Sequence, residues 1–200
     1  MINTKDFAAL ILCAGRSTRM GNFKPLLPLG PDNFIKRVIN LYRSVGIENI
    51  LVVLGHEAGR VIPVLEELGT NWVQNEHYDR GMFSSIQTGV RHIKGQGAFF
   101  IHPADIPFVR SDTIKSLIAA FQTGDVDICR PCHEGRRGHP PLISLTLSKA
   151  ISEFDGEGGL RALLARYKET SRDVFCNDPG ILLDIDTPED YERALKTFSK

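Results

Sequence analysis

The chain has no surplus of charge: 24 lysines and arginines stand against 24 aspartates and glutamates. There is no global field to gather nucleic acid or an anionic membrane surface, so any anion must be met by a local cluster of cations. Cysteine is scarce. Cys13, Cys129, Cys132 and Cys176 are scattered along 200 positions, which excludes a disulfide-stapled scaffold and predicts free thiols in a reducing compartment. No apolar run is long enough to cross a bilayer and no signal-peptide layout precedes the first strand-like run, so a cytoplasmic protein without membrane contact is expected. Internal repeats, low-complexity segments and linkers are missing too. With 42% hydrophobic and 24% charged residues, the composition is that of one globular domain over residues 1–200.

Residues 7–13 form an apolar run without polar alternation, the mark of a strand buried on both faces. Apolar residues at helical spacing follow from Phe34 to Val45 and stop at Gly46, which readily takes the left-handed C-cap conformation. Further strands are predicted at 49–54, 72–74, 98–101 and 126–129, with helices at 58–68, 84–92 and 111–121, the last capped by Ser111. Strand then helix, repeated, predicts an α/β fold with a mostly parallel sheet between two layers of helices. The rhythm loosens over 130–138, where Pro131, Gly135 and Gly138 indicate a loop or hairpin before an apolar run at 141–144. Two short helices, strands at 173–176 and 181–185, and a last helix opened by Thr187-Pro188-Glu189-Asp190 complete the chain.

The stretch 12–24, Leu-Cys-Ala-Gly-Arg-Ser-Thr-Arg-Met-Gly-Asn-Phe-Lys, lies beyond the carboxyl end of the first buried strand, where open α/β sheets bind ligands. Ala14 and Gly15 let a flat base or a phosphate approach the backbone, and Arg16, Arg19 and Lys24 supply three cations. The stretch lacks the Gly-Lys-Ser/Thr ending of a Walker A loop and the three glycines of a dinucleotide fingerprint. Asp105 follows the strand at 98–101 and therefore also sits at the carboxyl edge, where a carboxylate is a natural Mg²⁺ ligand. Ser84 and Ser85 precede an apolar helical run and suit N-capping. Arg136 and Arg137 can take an anion bidentately. Cys129-Arg130-Pro131-Cys132-His133 matches a c-type haem attachment pattern, but that chemistry belongs to exported proteins, and a zinc site lacks a well-spaced fourth ligand. His56 and Glu57 receive no role.

These blocks resemble the MobA-like nucleotidyltransferases. Residues 12–24, followed by Pro25-Leu26-Leu27-Pro28-Leu29, are similar to that family's Leu-Ala-Ala-Gly-x-x-x-Arg-Met-Gly loop and its lysine, with Cys13 in place of the first alanine. Gly81, Ser84, Ser85 and Gly89 match its glycine, serine pair and helix start, and Ala104-Asp105-Ile106-Pro107 is similar to its Gly-Asp-x-Pro turn. Arg137-Gly138-His139-Pro140 and the block from Asp184 to Tyr191 match two more, while Glu157 stands where its Gly-Asp-x-Gly-x-Arg turn has aspartate.

Within the family the chain resembles the molybdenum cofactor cytidylyltransferases. The resemblance implies a three-layer, Rossmann-like nucleotidyltransferase fold and Mg²⁺-dependent transfer of CMP from CTP to a molybdopterin-type cofactor, with release of pyrophosphate. It implies a nucleotide site of Leu12, Ala14, Gly15, Arg16, Ser17, Arg19, Lys24, Gly81 and Ser85, with Arg19, Lys24 and Asp105 catalytic. Asp105 and Asp186 are the expected metal ligands, Asp186 being preferred to Asp184 because it lies nearer the strand-to-helix turn. Arg136, Arg137 and His139 are the expected acceptor-binding residues, and a recipient molybdoenzyme or its chaperone is an expected partner. Guanylyl transfer from GTP is the nearest alternative; Ala14 favours CTP, since the guanylyl branch has a second glycine there. A sugar or isoprenoid nucleotidyltransferase and a non-catalytic pterin-binding chaperone are the remaining readings.

Overall fold

The computed structural model describes residues 4–16, 20, 23–95 and 97–198. β1 (Phe7–Cys13) leads through a 3₁₀ turn at Lys24–Leu26 into a small hairpin, β2 (Pro28–Leu29) and β3 (Asp32–Asn33), and then α1 (Phe34–Ser44). The alternation continues with β4 (Ile50–Leu54), α2 (Ala58–Glu67), β5 (Asn71–Gln74), α3 (Met82–His92), β6 (Ala98–Pro103) and α4 (Ser111–Gln122). β7 (Ile128–His133), β8 (Arg136–Arg137), β9 (Leu142–Ser144), α5 (Ser148–Glu153), α6 (Gly159–Ala165), β10 (Ser171–Phe175) and α7 (Pro188–Phe198) complete it.

The main sheet runs β10-β7-β9-β6-β1-β4-β5, with β8 paired to β7. Only β8 and β9 run against the rest, so the expected mostly parallel α/β sheet is what forms. All seven residues of β1 are buried, and alternate ones serve opposite faces. Phe7, Ala9, Ile11 and Cys13 pack in one core with α1, α2 and α4, while Ala8, Leu10 and Leu12 join the core beneath α3, α5 and α6. An unbroken apolar run is what such a two-sided position requires. At Gly89 the helix α3 lies so close to the sheet that a Cβ would stand 2.2 Å from a Leu10 methyl and 2.8 Å from a Val53 methyl. A third, smaller cluster of Met20, Leu29, Phe34, Phe108, Ile185 and Ala194 ties the hairpin and α7 to the carboxyl edge of the sheet.

Three local expectations are corrected. Residues 181–185 are no strand: their apolar alternation serves a 3₁₀ turn, Pro179–Leu182, and the buried plug of Ile185. α3 opens at Met82, so Ser84 and Ser85 lie inside its first turns, and Ser84 Oγ donates to the Gly81 carbonyl instead of capping an amide. Ser111 is the first residue of α4 rather than its cap, and the capping oxygen comes from Asp178, far along the chain. Asp178 is 1% exposed; it accepts from the Arg110 N–H at 2.8 Å, the Thr113 hydroxyl at 2.7 Å and the Gly180 N–H at 3.0 Å. The Thr187 start is as expected, a reciprocal cap in which Asp190 N–H donates to Thr187 Oγ1 and Thr187 N–H to Asp190 Oδ2.

Asp178→Ala strips partners from three donors at once, two amides and a hydroxyl. Urea denaturation is expected to show a loss of about 3–5 kcal/mol, the cost of leaving several buried polar groups unmet. A loss under about 1 kcal/mol would mean that water replaces the carboxylate without penalty.

Candidate active site

Strand neighbours decide which loops meet. β1 pairs with β6 in parallel, with Leu12 opposite Pro103, so the loop after Cys13 and the turn holding Asp105 leave the sheet side by side. The Ala104 N–H donates to the Leu12 carbonyl at 2.9 Å, which stitches the two together. The Asp105 carbonyl accepts from Ile185 N–H at 3.0 Å, and this brings Asp186 to the same place.

Lys24 stands between the two carboxylates. Its Nζ lies 2.5 Å from Asp186 Oδ1 and 3.7 Å from Asp105 Oδ2, and the lysine as a whole is 8% exposed. Burial raises the pKa of Asp105; the Lys24 ammonium opposes that shift, and the charges of Asp186 and Asp184 add to it. Negative charge is thus concentrated around one buried cation, an arrangement stable only while each group keeps its partners.

Two clefts open from this point. The first, about 290 Å³, is lined by Leu12, Ala14, Gly15, Lys24, Gly81, Ser85 and Asp105, together with Tyr78, Met82 and Pro103. It gathers most of the expected nucleotide residues. Gly81 has φ +95°, a conformation that favours glycine, and a Cβ there would meet no atom within 4 Å. Arg16 is exposed beyond the cleft wall, its guanidinium 5.5 Å from the Tyr78 ring centre. Ser17 and Arg19 lie outside the described residues. Cys13 also lines the cleft, but burial, with a smaller contribution from Asp105, pushes its thiol up to about 12, so it is no nucleophile at neutral pH.

The second cleft, about 410 Å³, shares Met82, Pro103 and Asp105 with the first and continues past Arg136, Arg137, His139, Asp184 and Asp186. The three expected acceptor residues therefore do line one cavity. They differ in availability. Both arginines are exposed, and Arg137 Nε lies 3.0 and 2.9 Å from the two carboxylate oxygens of Asp173. β8 lays Arg137 beside Asp173 of the edge strand β10, so one of the two expected guanidiniums already has an ion-pair partner. Burial lowers the pKa of His139, against the pull of the Asp184 charge. Cys129 and Cys132 lie in β7, and all four cysteines are free thiols. Among the described residues, no group of three or more His, Cys, Asp or Glu side chains is placed to hold a metal ion. No helix among them is long and apolar enough to cross a membrane.

Sequence reasoning passed over the support beneath Asp105. His102, fully buried on β6, has Nδ1 2.9 Å from the Tyr42 hydroxyl and Nε2 2.9 Å from the Ile106 carbonyl. The Ile106 carbonyl can only accept, so the ring N–H sits at Nε2 and donates to it, and Nδ1 accepts from the Tyr42 hydroxyl. This braces the turn that carries Asp105. Tyr78 and Met82, which also line the first cleft, were passed over as site residues.

The chain belongs to the MobA-like NTP transferase domain family, which it matches over residues 9–171. Among known proteins it is 26% identical, over 197 residues and 96% of each chain, to the molybdenum cofactor cytidylyltransferase of Escherichia coli strain K12. Its backbone superposes on Rv0371c from Mycobacterium tuberculosis H37Rv with a TM-score of 0.84 at 24% identity, covering 98% of this chain and 100% of the other. A complex of Rv0371c with manganese gives a TM-score of 0.80 at 24% identity, over 96% and 99% of the two chains. The fold is that of Rossmann-like nucleotidyltransferases, and by family the protein is a nucleotidyltransferase.

Neutral His102 makes stability depend on pH in a stated direction. Burial pushes its pKa down to about 4, below the ~6.5 of an unfolded histidine. Its contribution is whole above about pH 6.5 and is lost as pH falls toward 4, since the unfolded chain takes up the proton first. From pH 7 to 4.5 the wild-type protein should lose about 2–3 kcal/mol more than His102→Gln in urea denaturation. Parallel losses would show that the imidazole is not held neutral.

Proposed function

We propose that this protein transfers CMP from CTP to a molybdopterin-type cofactor carrying molybdenum, releasing pyrophosphate. The observation that carries the reading is the meeting of two clefts at Asp105, with Lys24 of the first ion-paired to Asp186 of the second. A two-substrate transfer needs that layout. A phosphate oxygen of the acceptor attacks the α-phosphorus of CTP, a new P–O bond forms, and the bond from the α-phosphorus to the bridging oxygen breaks as pyrophosphate leaves. Such chemistry asks chiefly for in-line positioning and neutralisation of charge. The 14–16 backbone and Ser17 receive the nucleotide, Arg19 holds the departing phosphates, and Lys24 turns toward charge that builds at the α-phosphate. Arg136 and His139 orient the acceptor, with Arg137 as a fixed wall.

Asp105 and Asp186 suit Mg²⁺, because both carboxylates already converge on a single cationic nitrogen. Bound there, the ion would neutralise triphosphate charge and draw electrons from the reacting phosphorus. The likeness to a protein solved with manganese supports a divalent ion of this kind. The reading takes residues 1–200 as one transferase domain working in the cytoplasm, with a recipient molybdoenzyme or its chaperone accepting the product. CTP is favoured over GTP because Ala14, 7% exposed and set in the cleft wall, narrows the space a purine needs.

Pyrophosphate release measured with each of the four NTPs, Mg²⁺ and molybdenum-loaded cofactor tests the reading. CTP should give the highest kcat/KM, and equal or better turnover with GTP overturns the assignment. Lys24→Ala should lower kcat at least about 100-fold with a smaller change in KM, as expected for a cation used mainly in the transition state. Asp186→Ala should abolish release at ordinary Mg²⁺, and Asp184→Ala, at an exposed position, should be milder. Normal turnover by Lys24→Ala would leave the lysine with only its ion pairs.

A further inference from the structure

The turn after β6 is held more firmly than a surface connection between a strand and a helix requires. Three successive carbonyls, those of Asp105, Ile106 and Pro107, each accept from a different element. The Ile185 N–H reaches the first at 3.0 Å, His102 Nε2 the second at 2.9 Å and Arg37 Nε the third at 3.1 Å. The Ala104 and Ile106 amides are spent as well, on the Leu12 carbonyl at 2.9 Å and the Pro103 carbonyl at 3.2 Å. Two of the three carbonyl donors trace back to α1. Arg37 lies on it, and so does Tyr42, whose hydroxyl orients the His102 ring from 2.9 Å. Tyr42 and His102 are fully buried, while Arg37 is half-buried with its guanidinium 5.6 Å from the Phe108 ring centre.

α1 also packs on the 3₁₀ turn that opens with Lys24, so one helix touches the backbone of both partners in the Lys24–Asp105 pair. The two carboxylates around the ammonium are unequally placed. Asp186 Oδ1 closes to 2.5 Å from Lys24 Nζ, whereas Asp105 Oδ2 stays at 3.7 Å, beyond the roughly 2.7–2.9 Å of a charge-assisted hydrogen bond. Attraction draws opposite charges together wherever the chain can yield. An aspartate's carboxyl carbon moves only with χ1 once its backbone is fixed, so the three carbonyl bonds limit how near Asp105 can come.

We propose that Arg37, Tyr42 and His102 are positioning residues that hold Asp105 back from Lys24 and so keep its carboxylate open to a divalent cation. This deepens the reading of Asp105 and Asp186 as metal ligands and rests on it. A carboxylate that has closed on an ammonium must be pulled away before an ion can bind, whereas one already set apart needs little rearrangement. The brace acts through backbone carbonyls alone. None of its three side chains lines either cleft, so its effect reaches the site only through where it puts Asp105.

Tyr42→Phe removes one hydroxyl from the brace, and Arg37→Ala removes its other hold. Mn²⁺ is titrated into the full chain, with and without CTP, and its binding is read from water-proton relaxation, which separates protein-bound ion from ion on free nucleotide. Each variant should weaken Mn²⁺ binding about tenfold, the size of effect that follows loss of a group orienting a metal ligand. Arg43→Ala is the control on the same helix. Its side chain reaches the α2–β5 connection instead, at the Leu68 carbonyl (2.6 Å) and Thr70 Oγ1 (3.1 Å), and its loss should change the affinity less than about twofold. In a Lys24→Ala background there is no ammonium for Asp105 to close on, so Tyr42→Phe should add less than about twofold. Unchanged affinity in both brace variants, or an equal loss with and without Lys24, overturns the proposal while leaving the metal-site reading intact. An equal loss in Arg43→Ala reduces the effect to a general loosening of α1 and overturns it too. If Tyr42→Phe does not fold, Arg37→Ala decides alone in both backgrounds. A wild-type chain that takes up no Mn²⁺ in either condition overturns the reading of the carboxylates as ligands, and the proposal falls with it.

Discussion

Lys24 and Asp186 are separated by 162 positions in the chain and by 2.5 Å in space, and Asp105 shares the same ammonium at 3.7 Å. Three charges this close, with the lysine buried and the carboxylates half-buried, need a scaffold that holds every one of them, because removing any leaves the others unmatched. The scaffold is apolar. The cluster of Met20, Leu29, Phe34, Phe108, Ile185 and Ala194 clamps the segment after β1 against the approach to α7, and Ile185 immediately precedes Asp186. The Ile185 N–H reaches the Asp105 carbonyl, so one short stretch of backbone places both carboxylates.

The sheet supplies the two-sided layout. Parallel pairing of β4, β1 and β6 puts three strand ends along one edge and opens the first cleft among them. The departure from parallel order builds the second: β9 inserts antiparallel between β6 and β7, and the β7–β8 hairpin carries Arg136 and Arg137 to the rim. A purely parallel sheet would end in one row of loops. Here the reversed strands give the edge a second wall.

What could be read from the residues alone follows from the range of the forces involved. The run 7–13 announced a buried strand because burial on both faces asks only for apolar side chains, and the loop after it offered a candidate anion site through small residues and cations within a dozen positions. The order of the neighbouring strands was not written there, yet it is what brings Asp105 beside Ala14. Contacts between distant segments stayed hidden for the same reason. Asp178 gave no sign that it would cap α4, Asp173 none that it would occupy Arg137, and Asn75 none that it would bond the serine pair. Ile181, Leu183 and Ile185 alternated like a strand, although their burial is achieved by a turn packed under Phe108 and beside α7. His102 received no reading from the sequence, yet it is a fully buried brace whose partner, Tyr42, lies on α1.

The proposed reaction is a direct, in-line transfer between two adjoining clefts that meet at Asp105 and are bridged by the Lys24–Asp186 pair. The stereochemical course at phosphorus tests it most directly: one diastereomer of the α-thio analogue of CTP is supplied with the molybdenum-loaded cofactor, and the configuration of the product diester is determined. A single displacement inverts the α-phosphorus, and inversion is the predicted result. Net retention would require an intermediate in which the nucleotidyl group rests on the protein, and would contradict the account.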